Sequence, residues 1–288
     1  MTQRTLFRPG GDDPGILVPT VRQLPLKALY IASQILLFMG LFQIYKSVRK
    51  VSIPEAEYAF RNARRLLDVQ GGLGLNFELS LQQWYLDLPH LFILGANRVY
   101  AHYMIGFYVV SMICLVFAPR RYSYLRRTFF ISMLVALPWF YLFPLAPPRF
   151  LADPGIPGFE DLARYSFMDT LEQYGPIYFS EDGLVSANRF AAMPSMHCGW
   201  AMIGGFFLAS AVPWRWAGLT AVAIISIGMG FTVMVTGNHY WLDIIGGWFV
   251  VGISLAINRA LPFPLPIRWP WRHKLASIDR QTAAAPSH

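Results

Sequence analysis

Six long apolar stretches, almost free of Asp, Glu, Lys and Arg, constrain this chain more than any other feature of its sequence. A helix of about 20 consecutive apolar residues crosses the hydrocarbon core of a bilayer, so each stretch predicts one membrane span. The predicted spans cover residues 28–45, 99–118, 128–148, 196–214, 216–238 and 239–258. We therefore predict an all-α fold: a polytopic membrane protein with a six-transmembrane helix bundle and interfacial helices.

Composition supports the same class. Of the 288 residues, 55% are hydrophobic and only 14% are charged, which is more apolar surface than a soluble domain of this length can bury. The first apolar stretch begins after a polar segment, and no clear small-residue cleavage site follows the apolar stretch. We therefore expect a membrane anchor and not a removable signal peptide. Cys114 and Cys198 fall inside predicted spans, lack metal-ligand spacing and are expected to be small buried hydrophobes.

The net charge of +8 does not require a nucleic-acid partner, because basic residues concentrate where a membrane protein carries them on its cytoplasmic side. The predicted connection between the second and third spans contains Arg120, Arg121, Arg126 and Arg127. Counting spans from there puts both termini in the cytoplasm and the acidic segment 150–190 outside. Only Lys46, Arg49 and Lys50 disagree. We expect a multi-pass protein of the plasma membrane with its active site on the extracytoplasmic face.

The sequence divides into three parts. Residues 1–27 predict a flexible cytoplasmic segment, residues 28–258 the membrane domain, and residues 259–288 a basic cytoplasmic tail. Within the domain, residues 52–95 predict interfacial helices and 150–190 an outer loop. The first interfacial helix should end at Gly71 and Gly72 and carry Tyr58 and Leu66 on its apolar face. The second, over 79–94, is interrupted by Asp87, Pro89 and His90.

Three short segments meet at the outer boundary once the spans are threaded, and the last of them, NHYWLD, carries His239 and Asp243. Residues four apart share one face of a helix, so the carboxylate can orient the imidazole and make its other nitrogen more basic. A nucleophilic or proton-transferring histidine needs this arrangement. A buried pair that merely holds a helix end has the same spacing, and the residues alone leave both interpretations open.

The other two segments are PSMH and PLAPPRF. Pro194 and Ser195 suit a helix start, where backbone N–H groups favour anions such as phosphate, and His197 would stand near such an anion. A capping or interfacial role explains this histidine equally well. Arg149 follows two prolines and could bind two phosphate oxygens at once. An arginine at this boundary is also a common lipid-headgroup anchor.

The order of these segments resembles the type 2 phosphatidic acid phosphatase superfamily. The resemblance covers roughly residues 144–247. The runs FPLAPPRF, DLARYSF, AMPSMHCGW and NHYWLDIIGG look like its inositol phosphotransferase branch, the group with fungal inositol phosphorylceramide synthase.

The resemblance implies a role for each candidate residue. His239 would be the nucleophile that forms a phosphohistidine, Asp243 would orient it, and His197 would protonate the departing alcohol. Arg149 and Ser195 would hold the phosphate oxygens. No metal and no cofactor are expected.

Two departures from the superfamily pattern concern phosphate binding. Leu142 stands where the first motif usually has a lysine, and Val233 where the third usually has an arginine. Asn238 could supply a donor in place of one of them or could cap the sixth helix. Arg189 could reach in from the loop, although a solvated loop charge is the favoured interpretation.

We therefore predict a membrane lipid phosphatase or phosphotransferase. Its substrate would be a phospholipid or lipid phosphate, and its acceptor water or an alcohol such as inositol. A non-catalytic lipid transporter or scaffold with the same bundle is the alternative.

Overall fold

The computed structural model describes residues 24–51, 56–117, 119–175, 189–212 and 214–261. All regular secondary structure in these ranges is helical, which confirms the predicted all-α class. The α-helices are α1 (Leu24–Val51), α2 (Ala56–Gly72), α3 (Glu78–Leu86), α4 (His90–Phe117), α5 (Pro119–Leu142), α6 (Thr170–Tyr174), α7 (Met196–Ala211), α8 (Arg215–Val235) and α9 (Trp241–Ala260). The predicted terminal segments lie outside the described residues, except for 24–27, which begin α1, and 259–261, which end α9 and follow it by one residue.

Five of these helices are long and apolar enough to cross a membrane. Their membrane-length portions are Ala28–Val48, His90–Val116, Arg121–Leu142, Arg215–Val235 and Trp241–Ala260. They correspond to five of the six predicted spans. The chain is therefore a multi-pass membrane protein by the length and apolarity of its helices.

The remaining predicted span, 196–214, forms α7, which has only 16 residues. At a rise of about 1.5 Å per residue, this helix is roughly 24 Å long, somewhat less than the hydrocarbon thickness. It ends at Ala211, and Val212 already has the extended conformation that a residue before a proline prefers. Because α7 packs against α4, α5, α8 and α9, it forms the centre of the bundle.

The boundaries predicted for the second and third spans were wrong. α4 begins at His90, directly after Pro89, so the stretch 79–94 divides into α3 and the first turn of α4. α5 begins at Pro119, so the cluster of arginines lies on the helix and not in a connection. Three of these arginines donate hydrogen bonds to other helices. Arg121 donates to the Ser210 carbonyl oxygen, Arg126 to Gln34 and Arg127 to Asn258.

Glycines let α7 and α9 approach each other closely. A Cβ added to Gly199 would lie 3.0 Å from the carbonyl oxygen of Gly247, and one added to Gly247 would overlap the carbonyl oxygen of Ser195. Small residues of this kind allow helix backbones to pack in direct contact. The contact brings the N-terminal ends of α7 and α9 together on the side of the bundle opposite the α5 arginines.

The amphipathic helix α2 ends at Gly72, as predicted, but its apolar face packs on protein. Ala59, Ala63 and Leu66 are buried in a cluster with residues of the 145–167 segment and with Tyr240. The prediction that Tyr58 shares this face was wrong. Its side chain is 52% exposed, because the helical period places it beside the buried stripe, where its ring lies under the Arg61 guanidinium.

Candidate active site

A short loop between α8 and α9 carries His239. The carbonyl oxygen of Val233 accepts hydrogen bonds from the backbone N–H groups of Asn238, at 3.0 Å, and His239, at 3.1 Å. Gly237 completes the reversal with a φ of 72°, a conformation that glycine adopts without strain. A Cβ at this position would also lie 2.6 Å from the Met168 carbonyl oxygen. A side chain at position 237 would therefore not fit between this loop and the Met168 backbone.

Asp243 holds His239 from the first turn of α9. Its Oδ2 atom lies 3.3 Å from His239 Nδ1 and accepts a hydrogen bond from the Tyr240 backbone N–H at 3.0 Å. The sequence prediction of a shared helical face was wrong, because His239 precedes the N-cap residue Tyr240 and Asp243 reaches back across the helix start. A proton on Nδ1 shared with Asp243 leaves Nε2 as the basic nitrogen.

His197 faces that second nitrogen. Its Nδ1 atom lies 3.4 Å from His239 Nε2, and the two ring centroids are 5.5 Å apart. The N-terminus of α7 is held in place by the Ser195 backbone N–H, which donates to the Asp243 carbonyl oxygen at 2.8 Å. The structure thus brings together His197, His239 and Asp243 in one line.

Two tyrosines of α4 pack on the His197 ring. The Tyr100 ring stacks on it at 4.4 Å between centroids, and the Tyr103 ring lies at 4.7 Å. These contacts restrict the orientation of the imidazole. Neither tyrosine was predicted from the sequence, although their spacing of three residues places them on one face of the second predicted span.

Arg149 joins the site through the same loop. Its backbone N–H donates to the Gly237 carbonyl oxygen at 2.9 Å, and its guanidinium donates to Asn238 Oδ1. The Nε atom also lies 3.1 Å from Asp169 Oδ2. The other oxygen of this carboxylate caps α6 through the backbone N–H groups of Leu171 and Glu172. Asp169, which sequence analysis missed, therefore offsets part of the arginine charge.

Asn238 is buried and holds Arg149. Its side-chain nitrogen donates to the Thr236 hydroxyl at 2.8 Å and to the Thr236 carbonyl oxygen at 3.2 Å, while its oxygen accepts from Arg149. The N-cap residue of α9 is Tyr240, so Asn238 makes no cap there. These contacts describe a residue that orients the arginine.

Ser195 is the N-cap residue of α7 and is completely buried. Its hydroxyl makes no capping hydrogen bond, and the Cys198 thiol, a weak partner, interacts with it. A buried hydroxyl with only a weak thiol partner, two residues before His197 in the chain, has room in its hydrogen bonding for a further oxygen. This is compatible with the predicted phosphate contact.

The two positions that depart from the superfamily pattern lie in different surroundings. Leu142, at the end of α5, is 76% exposed, whereas Val233 is fully buried in α8. Neither side chain carries a charge. Of the contacts described above, those of Arg149 bring a positive charge to the His239 loop. Arg189 lies nearby, with its guanidinium over the Phe150 ring.

The helix α3 clamps the outer segment onto the site. The side-chain nitrogen of Gln82 donates to the carbonyl oxygens of Met168, at 2.9 Å, and Val235, at 3.1 Å. Its oxygen accepts from the Met168 backbone N–H at 2.9 Å. One buried amide therefore joins α3, the outer segment and the end of α8, which precedes the His239 loop.

Glu78, the first residue of α3, holds a buried carboxyl group against the start of α9. This contact was not predicted from the sequence. Glu78 accepts hydrogen bonds from the Gln70 side chain and from the Trp241 backbone N–H, the latter at 3.2 Å. Burial raises the pKa of Glu78 above its ordinary value, and the Asp243 charge adds to this effect. Burial likewise raises the pKa of Tyr240 well above its ordinary value, so its hydroxyl keeps its proton and donates to the Ala146 carbonyl oxygen at 3.1 Å.

The chain is thus an integral membrane protein with a histidine-based site. His197, His239 and Asp243 are in successive contact at one end of its helical bundle, and Arg149 lies beside them. A model of the PAP2 superfamily matches residues 64–257, and the chain belongs to this superfamily. The matched region includes the whole site described above.

Two relatives indicate the branch. The chain is 29% identical over 153 residues to phosphoinositol dihydroceramide synthase of Bacteroides thetaiotaomicron, covering 50% of this chain and 47% of the relative. It is also 29% identical over 175 residues to the inositol phosphorylceramide synthase catalytic subunit aur1 of Schizosaccharomyces pombe, covering 57% of this chain and 39% of the relative. The chain thus spans less than half the length of these relatives. No solved structure matches it.

Proposed function

We propose that this protein is a membrane lipid phosphotransferase that works through a phosphohistidine on His239. The observation that carries the proposal is the line from Asp243 through His239 to His197, with nitrogen–oxygen and nitrogen–nitrogen separations of 3.3 and 3.4 Å. A carboxylate, a nucleophile and a proton donor in this order are the groups that two successive displacements at phosphorus require.

In the first displacement, His239 Nε2 attacks phosphorus, the phosphorus–nitrogen bond forms and the bond to the leaving alcohol oxygen breaks. His197 gives that oxygen a proton. In the second, an acceptor hydroxyl attacks phosphorus, His197 takes its proton and the phosphorus–nitrogen bond breaks. Arg149 and the Ser195 hydroxyl hold the phosphate oxygens and offset their charge. Because His239 Nε2 now faces His197, the two rings must separate when the phosphate enters between them.

The relatives support an inositol-containing reaction. Their names combine phosphoinositol or inositol with ceramide-type lipids, so we propose that a phosphoinositol group is exchanged between lipid alcohols. Water as the acceptor would make the same site a phosphatase.

The arginine contacts of α5 support the proposed orientation. Arg121, Arg126 and Arg127 lie at the end of the bundle opposite the histidines, and arginines favour the cytoplasmic side. We therefore propose that both termini lie in the cytoplasm and that the site lies on the outer face of the plasma membrane.

The test uses purified protein with phospholipid labelled in its headgroup, in the presence and absence of a ceramide-type alcohol or free inositol. We expect a labelled transfer product, and H239A should abolish it. H102A is the matched control, because His102 is an exposed histidine of α4 and should tolerate the change. Release of the labelled headgroup as a water-soluble phosphate ester, without a lipid product, would argue for hydrolysis instead of transfer. Full turnover by H239A would rule out the nucleophile, and lipid movement that survives H239A without turnover would favour a transporter.

A further inference from the structure

The flat face of one tyrosine covers the imidazole of His197. The Tyr100 ring lies 4.4 Å from the His197 ring between centroids, with an angle of 19° between the two planes, so the rings are stacked. The edge of the same imidazole carries Nδ1, which lies 3.4 Å from His239 Nε2. We infer that Tyr100 is a positioning residue for the proposed acid: its ring keeps this imidazole edge directed at the oxygen of the leaving alcohol. This inference rests on the proposed function.

The imidazole of His197 needs such a support. The torsion that turns a histidine ring about its Cβ–Cγ bond is broad and roughly two-fold, so packing sets the plane of the ring. A proton donor must lie within about 2.6–3.2 Å of the atom that receives the proton. A misplacement of about 1 Å can lower the rate about 100-fold. Because a stacked face opposes rotation of the imidazole out of its plane, Tyr100 keeps the donor within reach.

Stacking also permits the movement that the reaction requires. The rings of His197 and His239 must separate to admit the phosphate. Offset stacking is a preferred arrangement of aromatic pairs, so two stacked rings can slide along each other while their faces stay in contact. His197 can therefore move back in the plane of its ring while Nδ1 keeps its direction. Tyr103, at 4.7 Å and an angle of 44°, adds a tilted contact to the same imidazole.

A buried amide fixes the position of Tyr100 along the bundle. Asn97, one helical turn earlier on α4, is fully buried, and its side-chain nitrogen donates to the carbonyl oxygens of Thr170, at 2.6 Å, and Gly175, at 2.8 Å. Its side-chain oxygen accepts from the Thr170 hydroxyl at 2.7 Å. These bonds join α4 to α6, the helix whose N-cap carboxylate lies beside Arg149. The tyrosine is thus held by the same outer segment that contacts the arginine.

The test compares Y100L, which removes the ring, with Y100F, which keeps it. Y108L is the matched control, because Tyr108 is a partly buried tyrosine of the same helix whose ring packs edge-on against Phe38 instead. The measurement is kcat for a phospholipid and for a phosphate ester with an acidic phenol as its leaving group. Y100L should lower kcat for the phospholipid about 10-fold to 100-fold and that for the phenol ester much less. Y100F and Y108L should keep the wild-type ratio of the two rates.

A double variant separates positioning from packing. If Tyr100 acts through His197, Y100L should have no further effect on kcat in the H197A background. An additional loss there, or equal losses on both substrates in Y100L, would overturn the inference. A loss in Y100F as large as that in Y100L would also overturn it, because the hydroxyl and not the ring face would then be responsible.

The nucleophile variant distinguishes the inference from the proposed function. If H239A is inactive while Y100L has wild-type rates on both substrates, the inference fails and the proposed function stands. Turnover by H239A would mean that the proposed function fails. If Y100L lowers the unfolding temperature more than Y108L does, Y100M replaces it in every comparison, because a flexible methionine fills the space without a flat face.

Discussion

His197 Nδ1 and His239 Nε2 lie 3.4 Å apart, although 42 positions separate these residues in the chain. The close contact between α7 and α9 and the tight loop before α9 produce this distance. Each histidine has its own partner on the far side: Asp243 for His239, and the two tyrosines of α4 for His197. The asymmetry supports different roles for the two rings.

The first prediction concerns the leaving group. H197A should lower kcat by about 100-fold to 10,000-fold for a phospholipid, because the departing alkoxide then leaves without a proton. A phosphate ester with an acidic phenol as its leaving group needs less protonation and should lose much less. The ratio of the two rates is the measurement. Equal losses on both substrates would contradict the role of His197 as the acid.

The second prediction concerns the helix contact. G247A adds a methyl group that overlaps the Ser195 carbonyl oxygen, so α7 and α9 must separate. We expect a loss of about 1–3 kcal/mol in stability, with a loss of activity larger than this destabilisation alone explains. G252A is the control on the same helix, since nothing lies within 4 Å of its added Cβ. A wild-type unfolding temperature and turnover for G247A would show that the contact is not needed.

The third prediction concerns pH. The pKa of Glu78 is raised in the folded protein above its ordinary value of 4.5. Its contribution to stability is therefore complete below about pH 4.5 and is lost as the pH rises through the folded-state pKa. The E78Q variant keeps an oxygen that can accept from Trp241 and cannot ionise, so its unfolding temperature should fall less as the pH rises above about 4.5.

The control for this experiment is E172Q, which changes an exposed carboxylate of α6. It should follow the wild-type curve. If E78Q also follows the wild type, the carboxyl charge does not affect folding at the start of α9.

The fourth prediction concerns Asp169. D169N keeps an oxygen that can cap α6 and removes the negative charge beside Arg149. Inorganic phosphate should then inhibit several-fold more strongly, because the arginine charge is no longer offset. D161N is the matched control, since Asp161 pairs with Arg64 instead. Weaker inhibition in D169N would mean that Asp169 mainly positions Arg149.

The sequence was sufficient to predict the helical class and the residues that meet at one end of the bundle. His197, His239, Asp243 and Arg149 lie in short local motifs, and the ends of the apolar stretches indicate their side of the membrane. The reason given for the His–Asp pair was nevertheless wrong, because the helix begins after His239. Start signals for this helix are weak, since Tyr240 is not a usual N-cap residue.

The supporting residues could not be predicted in the same way. Gln82 and Met168 are separated by 86 positions, and Glu78 and Trp241 by 163. No periodicity or local motif connects such pairs. The first contact depends on how the outer segment folds over α3 and the second on how α3 packs against the start of α9, and only the three-dimensional structure contains that information.

The three hydrogen bonds of Gln82 have a consequence for protein engineering. Moving the outer segment of this chain alone into a relative would separate the Met168 backbone from the Gln82 amide that holds both its N–H and its carbonyl group. The smallest portable unit therefore begins at α3, and chimeras that cut between α3 and the outer segment should fold poorly even when every catalytic side chain is retained.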